Sequence, residues 1–184
     1  MNNKTRQLTL SALFVAMGVV LPMVFHSIPD AGKIFLPMHL PVLLGAMLVS
    51  WPWALGIGVL CPLLSFVVTG GAMPPVAPMP MLQIMVVELP VYALVASLVY
   101  PKLRKWNYWG ALIALVAAMA AGRVAAGGMA WVLSGPMGLK IPNGTPLQYI
   151  AAAIVTGLPG IAAQLVIIPA AVALIQRARA PKAQ

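Results

Sequence analysis

The chain alternates long uncharged apolar runs with short segments rich in Gly, Pro or Lys/Arg. The longest uncharged stretch begins after Lys33 and ends at Glu88, with no Asp, Glu, Lys or Arg between them. Each element of a soluble domain needs a wetted face, and runs of this kind provide none. The pattern predicts six apolar helices over residues 8–27, 37–50, 53–69, 81–100, 109–133 and 147–176, forming a single membrane domain across 1–184. Helix 37–50 is short for a span, about 21 Å at the usual helical rise. A basic start before the first run resembles a secretory signal. The run is long for a signal core, however, and no A-x-A site follows in HSIPDAG, so an uncleaved helix is expected. Between the helices the sequence predicts a loop at His26–Phe35, a tight turn at Trp51–Pro52–Trp53, a stiff Gly/Met/Pro loop at Gly70–Pro80, a basic turn at Pro101–Tyr108 and a loop at Ser134–Pro146. Pro62 is expected to kink its helix.

Composition agrees with this pattern. Of 184 residues, 62% are hydrophobic and 7% charged, which places the chain among all-α integral membrane proteins. Six spans of about 20 residues with short loops fill it, leaving no room for a soluble motor domain. A single cysteine, Cys61, excludes an internal disulfide and a multi-cysteine metal site. The net charge of +9 does not point to nucleic acid, because its placement explains it. All Lys and Arg except Lys33, Arg123 and Lys140 fall on one set of loops and ends. The positive-inside rule then puts both termini in the cytoplasm.

Glu88 and Arg123 are the two ionisable side chains of opposite charge inside predicted spans. They lie about 10 Å and about 15 Å below the outer ends of their helices. Two readings stand side by side: a structural ion pair, or groups that face a ligand in an outward-open cavity. His39 sits at the outer end of its helix, as His26 does of the first, and is a candidate ligand contact rather than part of a metal set. Gln83, Met73, Trp131, Asn143 and Gln164 are candidate cavity liners. Met73 belongs to a soft, adaptable Met-rich loop. Lys33 makes the outer loop basic and pairs with Asp30. Ala12 and Ala16 are four apart near the cytoplasmic end of the first helix, and Ala118, Gly122 and Ala126 repeat on one face of the fifth. Such spacing allows close helix approach. No catalytic motif or paired acids occur, so neither an enzyme nor a cofactor is expected.

The segments LPMHLPVLLGAML, PLLSFVVTGGAMPP and MVVELPVYAL, with six helices and basic cytoplasmic ends, resemble the substrate-binding S components of energy-coupling factor (ECF) transporters, the prokaryotic vitamin importers. TGGAMPP departs from the tighter TGMPP turn of that family. The resemblance implies a multi-pass protein of the prokaryotic plasma membrane that binds a vitamin or vitamin precursor. It would deliver this ligand through a membrane coupling subunit and two cytoplasmic ATPases. It also implies a docking role for Ala12 and Ala16 and gating by the loops at His26–Phe35 and Gly70–Pro80. Arg123 and the basic outer loop suit a carboxylate, with pantothenate the first candidate, while Glu88 suits an amine-bearing ring. The competing readings are a stand-alone secondary transporter or channel and a small membrane enzyme using His39 and Glu88.

Overall fold

The computed structural model describes residues 3–28, 30–69, 81–141 and 144–179. Among them the regular structure is helical, with no strand. In order these are α1 (Asn3–His26), α2 (Ala31–Phe35), α3 (His39–Leu48), α4 (Trp51–Thr69), α5 (Met81–Leu103), a 3-10 turn at Arg104–Trp106, α6 (Asn107–Ser134) and α7 (Pro146–Arg179). Helices satisfy their backbone groups internally, as hydrocarbon requires. Five stretches are long and apolar enough to cross a membrane: Asn3–Phe25, Ala31–Leu48, Trp51–Thr69, Met81–Ser134 and Pro146–Ala178. The sequence leads one to expect six. The fourth stretch contains both α5 and α6, because apolar chain continues through their short connection.

α5 and α6 form an antiparallel hairpin. Leu103 meets Gly110 beside the turn, Tyr92 meets Gly122 further out, and Glu88 meets Arg123 beyond that. Ala118, Gly122 and Ala126 are buried along this seam, and their small size lets α6 approach α5 closely. The main apolar cluster joins Phe14 of α1, Leu43 and Ala46 of α3, Ile57 of α4, Leu89 and Tyr92 of α5, Leu115 of α6 and Ile168 of α7. A second cluster ties Ile84 to Ala130, Leu133 and Tyr149. Val124, Val155 and Val166 point outward, as suits a surface solvated by lipid.

The helix ends sort into two groups. Gln7 Oε1 accepts the Ser50 N–H at 3.0 Å, and the Gln176 amide donates to the Tyr100 hydroxyl. The start of α1, the α3–α4 junction, the α5–α6 turn and the end of α7 therefore share one end of the bundle. α2 and the starts of α3, α5 and α7 gather at the other.

Several local expectations are corrected. The stretch His26–Phe35 is not wholly a loop, since Ala31–Phe35 makes a helical turn and a half. Trp51–Pro52–Trp53 is not a tight turn. It opens α4, with the Ser50 carbonyl accepting the N–H groups of Trp53 and Ala54 at 3.0 Å each, and Pro52 sits in the first turn, where its missing N–H leaves no bond unmade. α3 is shorter than expected, because Val49 is extended. α5 runs past Tyr100 to Leu103, so the basic turn shrinks to the 3-10 segment. Pro62, where a kink is expected, lies inside α4. The loop Gly70–Pro80 lies outside the described residues.

A Cβ on Gly122 would overlap the Tyr92 ring, whereas one on Gly128 would meet nothing. Gly122→Ala is therefore expected to lower stability by about 1–3 kcal/mol in detergent thermal unfolding, and Gly128→Ala to leave it unchanged or raise it.

Candidate ligand-binding cavity

At the end of the bundle that carries α2 lies a cavity of about 520 Å³, within the usual range for small-molecule sites. Pro22 of α1 closes one side. Asp30, Gly32 and Lys33 form the rim, and Leu36 to His39 lead from α2 into α3. Met81, Met85 and Glu88 come from α5, Arg123 from α6, and Tyr149, Ala152, Ala153 and Thr156 from α7. The walls are thus mostly apolar, with a few convergent polar groups.

The floor is an ion pair. Arg123 Nη1 donates to Glu88 Oε1 at 2.9 Å, and the Tyr92 hydroxyl, one turn along α5, donates to the same oxygen at 2.6 Å. Glu88 is 2% exposed, so these charge-assisted bonds form away from bulk water, where they are strongest. His39 Nε2 stands 4.0 Å from Oε1, an ion-pair separation beyond hydrogen-bond reach. Its ring packs edge-on against Tyr92, with centroids 5.3 Å apart. Both His39 ring nitrogens are buried without a hydrogen-bond partner among the described residues. All three groups around Glu88 address Oε1, while Oε2 makes none of these contacts. One Arg123 donor reaches Glu88, and the guanidinium's other N–H groups have no protein acceptor among the described residues. The cavity therefore offers donors from Arg123, an acceptor on Glu88 and an imidazole whose ring nitrogens make no hydrogen bond among the described residues.

The cover over this floor is α2. It lies directly on α7, where the carbonyl oxygens of Ile34 and Phe35 would stand 2.6 Å from any Cβ at Gly160, so that position admits glycine alone. Gly157 receives the Leu36 side chain in the same way. Leu36 ends α2 in the left-handed region at φ 49°, which costs a non-glycine residue about 1–2 kcal/mol. Its carbonyl accepts from Gln164 Nε2 at 3.4 Å. Asp30, which precedes α2, is also left-handed at φ 59°.

The structure brings together His39, Glu88, Arg123 and, at the rim, Lys33, which pairs with Asp30 at 3.4 Å in an exposed contact. Gln164 is fully buried and braces Leu36 from behind rather than lining the cavity. Gln83 is partly buried on α5 with its Oε1 unpartnered, and it too is off the cavity. Trp131 is 62% exposed on the outer surface of α6; a large ring with a polar tip suits the lipid–water boundary equally well. Met73 and Asn143 lie outside the described residues. Ala12 and Ala16 are exposed on α1. Tyr92, Tyr149 and Met85 were not expected here. Of these, Tyr92 alone had a sequence signal, as a hydroxyl four residues after a buried acid on one helix. Among the described residues no group of His, Cys, Asp and Glu is placed to hold a metal ion.

A family model for the substrate-specific component of ECF transporters matches residues 6–172. The chain belongs to that family. No curated protein and no solved structure matches it. As an ECF S component it is a multi-pass membrane protein and a transport-binding subunit rather than an enzyme.

Removing one member of a buried pair leaves the other uncompensated. Arg123→Met is expected to cost about 3–5 kcal/mol of stability, and the double variant Glu88→Gln/Arg123→Met distinctly less than the sum of the single changes. A thermal-unfolding cycle in detergent checks this.

Proposed function

We propose that this S component captures a vitamin or vitamin precursor in the cavity floored by Glu88 and Arg123 and capped by α2. It passes the ligand to a coupling subunit and two cytoplasmic ATPases. The observation that carries this reading is the cavity in which the unbonded ring nitrogens of His39, the spare donors of Arg123 and Oε2 of Glu88 converge. Buried polar groups without partners are costly, and a ligand that supplies those partners recovers that free energy as affinity. Gln83, Gln164 and Trp131 stay outside this contact set, and Lys33 guides anionic groups at the rim.

The substrate we propose first is pantothenate. Its carboxylate suits the remaining Arg123 donors, and its hydroxyls and amide suit His39 and Glu88. Counting α5 and α6 separately gives six crossings. The gathering of Arg6, Arg104 and the other basic residues at the end away from the cavity supports cytoplasmic termini in a prokaryotic plasma membrane. The exposed Ala12 and Ala16 leave α1 a smooth face for the coupling subunit.

Isothermal titration of the purified protein with pantothenate is expected to give nanomolar-to-micromolar affinity, about 8–12 kcal/mol. Arg123→Ala, checked for folding, should lose about 2–5 kcal/mol of that. His39→Ala, checked for folding because the ring is buried against Tyr92, should weaken the ligand by about 1–3 kcal/mol. Absence of binding by pantothenate, with another vitamin retained in native mass spectrometry, would correct the substrate and keep the site. Ala12→Trp should leave affinity intact and stop ATP-dependent uptake in cells that carry the partner subunits.

A further inference from the structure

The opposite end of the bundle holds a second, smaller cavity, of about 190 Å³. It lies where the start of α1, the end of α3, the α5–α6 turn and the end of α7 meet. Arg6 and Arg104 flank it, Met47 and Leu48 supply an apolar floor, and Tyr100 and Gln176 lie to one side. Neither guanidinium has a carboxylate partner among the described residues. The chain's two acids, Asp30 and Glu88, both line the other cavity. Two arginines beside a half-apolar hollow, without a counter-ion among the described residues, make an anion site of the kind planar guanidinium groups favour, with phosphate oxygens bound in pairs.

The depth of this hollow in the bilayer is marked by aromatic side chains. Trp51 follows the α3–α4 junction, and Trp106 and Trp109 flank the α5–α6 turn. All three are 51–65% exposed. Exposed tryptophans collect at the headgroup level of a membrane, so the hollow opens where lipid phosphates lie. Basic pockets between helix ends at this level hold anionic headgroups.

We infer that Arg6 and Arg104 form a phosphate site, filled by the headgroup of an anionic phospholipid against the Met47–Leu48 floor. This inference depends neither on the transported ligand nor on which side of the membrane the end faces.

The test uses the full chain in neutral detergent, read by thermal unfolding at matched ionic strength. It is titrated in separate arms with short-chain phosphatidylglycerol, short-chain phosphatidylcholine and inorganic phosphate. Phosphatidylglycerol should stabilise the protein and phosphatidylcholine should not. In Arg6→Gln/Arg104→Gln the midpoint of that stabilisation should move about thirtyfold higher, roughly fivefold for each guanidinium. Lys102→Gln/Lys105→Gln removes equal charge from the same end but off the cavity, and should leave the midpoint within about twofold. If the first double variant unfolds early in phosphatidylcholine, the single change at the exposed Arg104 serves instead, with about a fivefold shift. An equal response to inorganic phosphate supports the site and assigns it to free phosphate. Equal shifts in both double variants, or none in either, overturn the inference by reducing it to diffuse surface charge.

Discussion

The contact on which the rest of the molecule depends is the bond from Arg123 to Glu88 across the α5–α6 hairpin. In hydrocarbon a lone carboxylate or guanidinium is costly, and the two are tolerated because each answers the other. Their meeting fixes the register of the hairpin, since the Leu103–Gly110 and Tyr92–Gly122 contacts fall in line with it. It also concentrates polarity at one spot in an otherwise apolar wall. A small molecule inside the bundle therefore has one direction in which to point its polar groups. Tyr92 reinforces this by donating to the same carboxylate oxygen while its ring fills the space over Gly122. One side chain serves both the packing and the electrostatics.

The cover is built on a different principle. α2 is too short to be stable alone, and it exists because α7 receives it. Gly160 allows backbone to meet backbone, Gly157 accepts Leu36, and Gln164 holds the Leu36 carbonyl. The unfavourable left-handed turn at Leu36 is maintained by these contacts, as backbone strain near binding sites commonly is. Gly157 and Gly160 of α7, which in sequence read only as soft points in a long helix, are thus the seat of the element that covers the cavity.

How much of this was legible in the sequence follows from what each signal measures. Apolar runs mark spans, so the long helices lie close to where hydropathy puts them. A charge inside an apolar run stands out, so Glu88 and Arg123 were evident before their geometry was known. Rotational phase was not. A helix that is apolar all round carries no amphipathic mark of which face turns inward, and so Trp131 and Gln83 had equal claim to the cavity with Met85 and Tyr149. Gln164 is a candidate cavity liner in sequence, yet its partner is a backbone carbonyl more than a hundred residues away, which no local pattern encodes. The lone turn of α2 escaped for a related reason, because five residues around Gly32 and Lys33 have little helical preference until a neighbouring helix provides a surface.

α3 contains ten residues and so rises about 15 Å, roughly half the hydrocarbon thickness of a bilayer. Had it continued straight for another two or three turns, its side chains would have occupied the volume that now lies above His39. The hollow is the unbuilt half of a transmembrane rod, roofed by a five-residue stub set aside from its axis. The volume of the hollow is thus bounded by where one helix stops and by the five-residue turn set beside it.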